Sequence, residues 1–209
     1  TIQGAAGFIE PENDYLKLVS EKCKEVGALL ILDEIQPGIG RTGKLFGFEN
    51  YNCTPDIIVS GKGLGGGMPI GAFISSKKIM STISNNPKLG HITTFGGNPV
   101  IAASAYQTLK IITETSLIKK TLRKEIIIRK KLKHPLIKEI RGKGLMLAMV
   151  LESAEIADKL VIKAKENGLL LFWLLIEKKA VRITPPLTIT EKDISLGCNI
   201  IIQQLNNIS

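Results

Sequence analysis

The sequence predicts an α/β protein in two parts: a large domain with a mixed or parallel sheet up to about Thr115, then a smaller α+β domain over 116–209. Three observations carry this reading. Ala28-Leu29-Leu30-Ile31-Leu32 is an unbroken apolar run ending on Asp33-Glu34, the pattern of a strand covered on both faces. The β-branched run Ile57-Ile58-Val59 stops on Ser60-Gly61-Lys62-Gly63-Leu64-Gly65-Gly66-Gly67, a second buried strand ending on one lysine among glycines. From Ser116 onward the texture changes to a basic helix followed by a strand–helix–strand–strand–helix block.

Each element has a local reason. Ile2 to Ile9 reads as a strand end and a glycine-rich loop. Pro11 and Asn13-Asp14 then open a helix whose apolar face is Tyr15, Leu16, Val19, Cys23 and Val26, and Gly27 ends it. After the two strands already named, Met68 to Ile74 reads as another strand, Ser75 to Ile83 as a short helix and Asn85-Asn86-Pro87 as a turn. A polar segment, His91 to Asn98, opens a small-residue helix at Pro99 to Thr113. In the second part, the basic helix at 119–133 leads to strands at Ile137 to Ile140 and Leu145 to Leu151. A helix at Ala154 to Asn167 stops at Gly168, strands follow at Leu169 to Leu174 and Ala180 to Ile183, and Glu191 to Leu205 is the final helix.

Composition narrows the function. The net charge of +9 raises the question of nucleic acid. The cations cluster in the basic helix without interleaved aromatics or a nucleic-acid motif, so no nucleic-acid partner is expected. No apolar run approaches the ~20 residues of a membrane span. Cys23, Cys53 and Cys198 are odd in number and widely spaced, which indicates neither a disulfide framework nor a zinc site, and no metal is expected. The sequence starts at Thr1 with no initiator Met and no signal-peptide pattern, so the expectation is a cytoplasmic chain truncated at its N-terminus.

Lys62 is the reactive side chain of the strand-end glycine stretch. A lysine desolvated there presents a neutral amine for a Schiff base with a carbonyl; the plainer reading is a solvated loop lysine. Gly61-x-Gly63-x-x-Gly66 and Gly38-x-Gly40-x-x-Gly43 match the dinucleotide pattern, but no helix opens after either. A phosphate-binding P-loop is excluded, since Lys62 is followed by glycine. Asp33 and Glu34 stand where parallel sheets place their ligands and point to opposite sides, so at most one faces a given pocket. A strand-end Asp caps a turn or pairs with a protonated ring nitrogen, with Gln36 beside the same ligand. Thr93 and Thr94 are helix caps or phosphate ligands, and His91 reads as structural.

Read together, Leu29 to Phe48 (LLILDEIQPGIGRTGKLFGF), Pro55 to Gly71 (PDIIVSGKGLGGGMPIG), His91 to Pro99 (HITTFGGNP), Arg141 to Met146 (RGKGLM) and Arg182 to Thr190 (RITPPLTIT) resemble the class III pyridoxal-phosphate-dependent aminotransferases. The acetylornithine and ornithine group is most similar. The resemblance implies a fold-type-I transferase, with residues 1–115 as the latter part of the large cofactor-binding domain and 116–209 as the small C-terminal domain. It implies pyridoxal 5'-phosphate held at Lys62 as catalytic residue, with Asp33, Glu34, Ile35, Gln36 and Thr94 in the cofactor site. Asp33 would pair with the ring nitrogen, Gln36 would lie on the phenolic-oxygen side and Thr94 would reach the phosphate of the neighbouring subunit in a homodimer with shared sites. Thr93 and Arg182 would contact substrate, Arg182 by pairing with a carboxylate.

The implied reaction moves an amino group from a terminal-amine donor of N-acetylornithine or ornithine type to 2-oxoglutarate. Family members are substantially longer, so the chain is expected to hold half an active site and to be inactive alone. It departs from the family at Ala5, where a glutamate usually follows Ile-Gln-Gly, and at Lys165 to Leu175, usually a small-residue segment. The alternatives are a 4-aminobutyrate or succinyldiaminopimelate type of class III transaminase, or a non-catalytic partner fragment.

Overall fold

The computed structural model describes residues 1–208. Its chain forms two compact units. The first comprises Thr1, Pro11–Ile39 and Phe46–Thr115; the second comprises Ile2–Glu10, Gly40–Leu45 and the residues from Ser116 onward.

The first unit is built on three strands in the order β1 (Ile31–Asp33), β2 (Ile57–Gly61) and β3 (Gly71–Ser75). β1 and β2 are parallel, with Ile31 opposite Ile57 and Asp33 opposite Val59, whereas β2 and β3 are antiparallel. Helix α1 (Tyr15–Val26) ends on Gly27 in the left-handed region at φ 72°, which a side chain would strain. It places Leu16 against Leu30, Leu32 and Cys53, the core of this unit. α2 (Lys77–Ser81) is a single short helix, and α3 (Pro99–Glu114) carries Pro99 at its first turn, where a missing N–H costs nothing.

One expectation fails here. The run 28–32 reads as a strand covered on both faces, yet only Leu30 and Leu32 are buried, while Leu29 and Ile31 are 52% and 55% exposed. The period of two in a strand sends alternate side chains to opposite faces, and this unit covers one of them. Phe73 on β3 is exposed as well, so the open face is apolar.

The second unit is an antiparallel sheet in the order β4 (Ile137–Lys143), β5 (Met146–Leu151), β7 (Ala180–Ile183), β6 (Phe172–Trp173). Helices α4 (Leu117–Lys131), α5 (Ala154–Glu166) and α6 (Glu191–Asn206) supply the helical layer. Leu145, Leu147, Met149, Leu151, Val181 and Ile183 join Ile128, Leu160 and Leu205 in one core cluster. Every residue of β5 is buried, including Met146, Ala148 and Val150. Leu169 to Leu174, read as one strand, is reduced to Phe172–Trp173 at the sheet edge.

The basic helix is only partly a solvated face. Lys124 is buried and donates to the Leu187 carbonyl at 2.5 Å. Arg129 donates to the carbonyls of Ile140 and Gly142 and to Glu125, whose other oxygen accepts the Gly144 amide at 2.6 Å. These cations hold backbone turns in place. No described helix is long and apolar enough to cross a membrane, and no described group of His, Cys, Asp and Glu could hold a metal ion.

Candidate active site

In the first unit, the site residues cluster at the carboxyl ends of the parallel strands β1 and β2. The Glu34 amide donates to the Val59 carbonyl at 2.8 Å, so strand geometry persists one residue beyond Asp33. Alternation then separates the two carboxylates. Asp33 is exposed, and its Oδ1 accepts the Ile35 amide at 2.9 Å, a local turn that leaves Oδ2 without that task. Glu34 is fully buried, and its oxygens accept the amides of Gly47 at 2.6 Å and Phe48 at 3.0 Å and the hydroxyl of Thr1. Burial pushes the Glu34 carboxyl above its ordinary range against the pull of these donors. Its carboxylate therefore anchors the 47–48 backbone, while Asp33 offers a free charge.

Between those anchors the chain makes a tight turn. Ile35 and Gln36 are half-buried, and the Gly38 amide returns to the Glu34 carbonyl at 3.0 Å. A Cβ on Gly38 would stand 2.5 Å from that carbonyl oxygen, so glycine is required. Ile39 adopts φ 55°, costly for a β-branched residue.

Lys62 follows Val59, the register partner of Asp33, by three residues and starts a short 3₁₀ turn, Lys62–Gly65. Its φ of 41° is also left-handed. Two such non-glycine residues near one another mark backbone held against its preference, a feature that concentrates at functional sites. The expected desolvation of Lys62 is absent: its side chain is exposed, because the open face leaves this strand end to solvent. Beneath it Ser60 is buried with its hydroxyl oxygen unpartnered. A Cβ on Gly66 would meet the Thr108 hydroxyl at 2.2 Å, and Ser104 donates to the Gly65 carbonyl at 2.8 Å, so α3 closes on the glycine turn.

Thr93 and Thr94 lie on an exposed loop before α3. Neither caps the helix, because Asn98 does so, its side chain accepting from the Val100 and Ile101 amides. His91 Nδ1 lies 3.1 Å from the Ile83 carbonyl, a structural contact.

Arg182 belongs to the second unit, on β7 opposite Phe172 and Ala148. Its Nε donates to the Trp173 carbonyl at 3.0 Å, and the Phe172 ring lies 5.7 Å from its guanidinium carbon. Its terminal nitrogens have no partner among the described residues, so the planar fork remains available to a carboxylate. An apolar cavity of about 380 Å³ is lined by Leu170, Phe172, Arg182, Pro185 and Cys198 with Asp193 as its other charged residue. Asp193 accepts the Thr190 hydroxyl at 2.6 Å. The Ala5 carbonyl accepts the Ile176 amide at 3.2 Å, just beyond β6.

Sequence reading overlooked Arg41. It donates to the carbonyls of Leu145 at 3.2 Å and Pro185 at 2.5 Å, and burial pushes its guanidinium below the ordinary range. Its signal was a lone arginine inside the run Gly40-Arg41-Thr42-Gly43.

Comparison with known proteins decides the family. The aminotransferase class-III family model matches residues 1–205. The chain belongs to the class-III aminotransferases. It is 40% identical over 212 residues to the acetylornithine aminotransferase of Caldanaerobacter subterraneus subsp. tengcongensis, covering 99% of this chain and 52% of that protein. A Bacillus anthracis aminotransferase superimposes with a TM-score of 0.92 at 31% identity, covering 99% of this chain and 51% of the other. The ornithine aminotransferase of Toxoplasma gondii, crystallised with partial occupancy of pyridoxal phosphate at its active site, gives 0.89 at 34% identity, covering 99% and 49%. The chain thus spans about half the length of the relatives it matches, as a partial fold-type-I α/β structure.

Class-III aminotransferases depend on pyridoxal phosphate, and the residues here fit that group. An exposed amine on a strained glycine turn and an exposed carboxylate leave the same end of adjacent parallel strands. Glu34 does not supply that carboxylate, because its oxygens are occupied.

Proposed function

We propose that this chain carries the Lys62 side of a transaminase that moves an amino group from a terminal-amine donor of N-acetylornithine or ornithine type to 2-oxoglutarate. One observation carries the reading. Lys62 sits on a strained glycine turn at the carboxyl end of β2, three residues past Val59, and Asp33 is exposed at the matching end of β1. Acetylornithine and ornithine aminotransferases among the relatives support the donor class.

Bound pyridoxal phosphate supplies an electron sink for the carbon that bears the amino group. Lys62 Nζ would hold the cofactor and would be the base that takes and returns the proton at that carbon. The free oxygen of Asp33 would keep a ring nitrogen protonated, and Gln36 would offer a hydrogen bond on the phenolic-oxygen side. Ile35 and Glu34 shape this wall through their backbone. Thr94, free of capping duty, takes a phosphate in a homodimeric arrangement with shared sites, with Thr93 beside it near substrate. Arg182, on the second unit, takes a carboxylate common to the donor and to 2-oxoglutarate.

Borohydride reduction of the cofactor-loaded protein, followed by peptide mapping, tests the assignment. The label is expected on Lys62. Label on another lysine, or bound cofactor with no label, refutes it.

A further inference from the structure

Arg182 sits on β7 between Ala148 and Phe172, and the loop that follows this strand is held by two cations. Arg41 donates to the Pro185 carbonyl at 2.5 Å, and Lys124 donates to the Leu187 carbonyl at 2.5 Å. Neither cation forms an ion pair among the described residues. A guanidinium kept from water without a carboxylate partner must spend its donors on neutral acceptors, and Arg41 spends them on backbone. The carbonyl of Arg41 in turn accepts the Leu145 amide at 2.9 Å, which fixes the arginine's own main chain.

The segment Gly40–Leu45 is itself wedged within the second unit. Its ends are joined by the Gly40 amide and the Leu45 carbonyl at 3.1 Å. A Cβ on Gly43 would meet Leu122 at 2.7 Å, and one on Gly144 would stand 2.5 Å from the Arg41 carbonyl oxygen. Arg41 therefore reaches Pro185 from a rigid base. Arg182 is three residues before Pro185 and next to the last residue of β7. Its Nε bond to Trp173 and its contact with Phe172 define the fork only while that strand end is fixed.

We infer that Arg41 is a positioning residue for carboxylate recognition: through the Pro185 carbonyl it sets the end of β7 and thereby the aim of the Arg182 fork. This rests on the proposed role of Arg182 as the carboxylate ligand. Lys124 steadies the far end of the same loop.

The test uses the cofactor-loaded, catalytically competent protein and its Arg41→Lys, Arg41→Met and Arg182→Gln variants. Binding of glutarate, an unreactive dicarboxylate, is followed by isothermal titration calorimetry, which needs no turnover. The half-reaction with pentylamine, a terminal amine without a carboxylate, is the control. Arg41→Met is expected to weaken glutarate about tenfold, with Arg41→Lys between it and the parent, while pentylamine reacts within about twofold of the parent rate.

Equal losses for glutarate and pentylamine in Arg41→Met, or no loss for either, overturn the inference. Failure of both Arg41 variants to fold assigns the residue to stability and also overturns it. If Arg182→Gln itself leaves glutarate binding unchanged, the reading of Arg182 fails and the inference falls with it. A selective loss in Arg182→Gln without one in Arg41→Met sinks the inference alone.

Discussion

Replacing Glu34 probes the scaffold of the candidate site with little effect on the proposed chemistry. The Glu34 oxygens separately accept the Gly47 amide at 2.6 Å and the Phe48 amide at 3.0 Å, inside a fully buried environment. Glu34→Gln keeps the shape but turns one oxygen into an NH₂ group facing an N–H donor, a mismatch worth about 1–3 kcal/mol. Glu34→Ala strands both amides, and the same bookkeeping gives about 2–6 kcal/mol plus a cavity. That is a large share of the ~5–15 kcal/mol that holds a domain together. The parent should also carry a pH signature. Burial raises the folded pKa of Glu34, so the folded state binds its proton more tightly than the unfolded chain. This contribution is fully present below the ordinary carboxylate value and is lost as pH rises through the raised folded one. Urea denaturation followed by circular dichroism across that window should show parent stability declining with pH by an amount missing from Glu34→Gln. A Gln variant with the parent's midpoint and the parent's pH dependence would refute the anchoring role.

Four further outcomes are expected. Asp33→Asn keeps the Oδ1 acceptor for the Ile35 amide and so should fold normally, while turnover of the cofactor-loaded protein drops by about 10²–10³; near-normal turnover with an unshifted cofactor spectrum contradicts the charge role. The 209-residue chain alone should associate through its open apolar face and show no transamination, so monomeric, active protein in ultracentrifugation and turnover assays would count against this. Gly144→Ala should lower stability by more than about 1 kcal/mol in a denaturant titration, since its φ is 64° and a Cβ would stand 2.5 Å from the Arg41 carbonyl oxygen. Ala5→Glu should shift the ratio of half-reaction rates for α- and ω-amino donors by offering Arg182 a counter-charge, and an unchanged ratio removes Ala5 as a determinant.

Much of the scaffold could be read from local chemistry. The 3.6-residue pattern closed by Gly27 marks α1, and the glycines after Val59 mark a strand end, because these residues meet a backbone requirement that neighbours in sequence already define. Ala180–Ile183 was legible for the same reason. Lys62, Asp33, Gln36 and Thr94 stood out by side-chain type at strand and helix ends, and Arg182 only through the family resemblance.

Tertiary structure decided what depends on which groups meet across space. Alternation along β1 sends Asp33 and Glu34 to opposite sides, but that the buried one meets the amides of Gly47 and Phe48 is decided only by the fold. The run 28–32 is apolar on both sides, but burial depends on what packs over each face, and here one face has no cover. Arg41 and Lys124 look like ordinary surface cations in a basic chain. Only the folded chain brings them to the carbonyls of Pro185 and Leu187, 144 and 63 residues away, where loss of water obliges them to hold backbone.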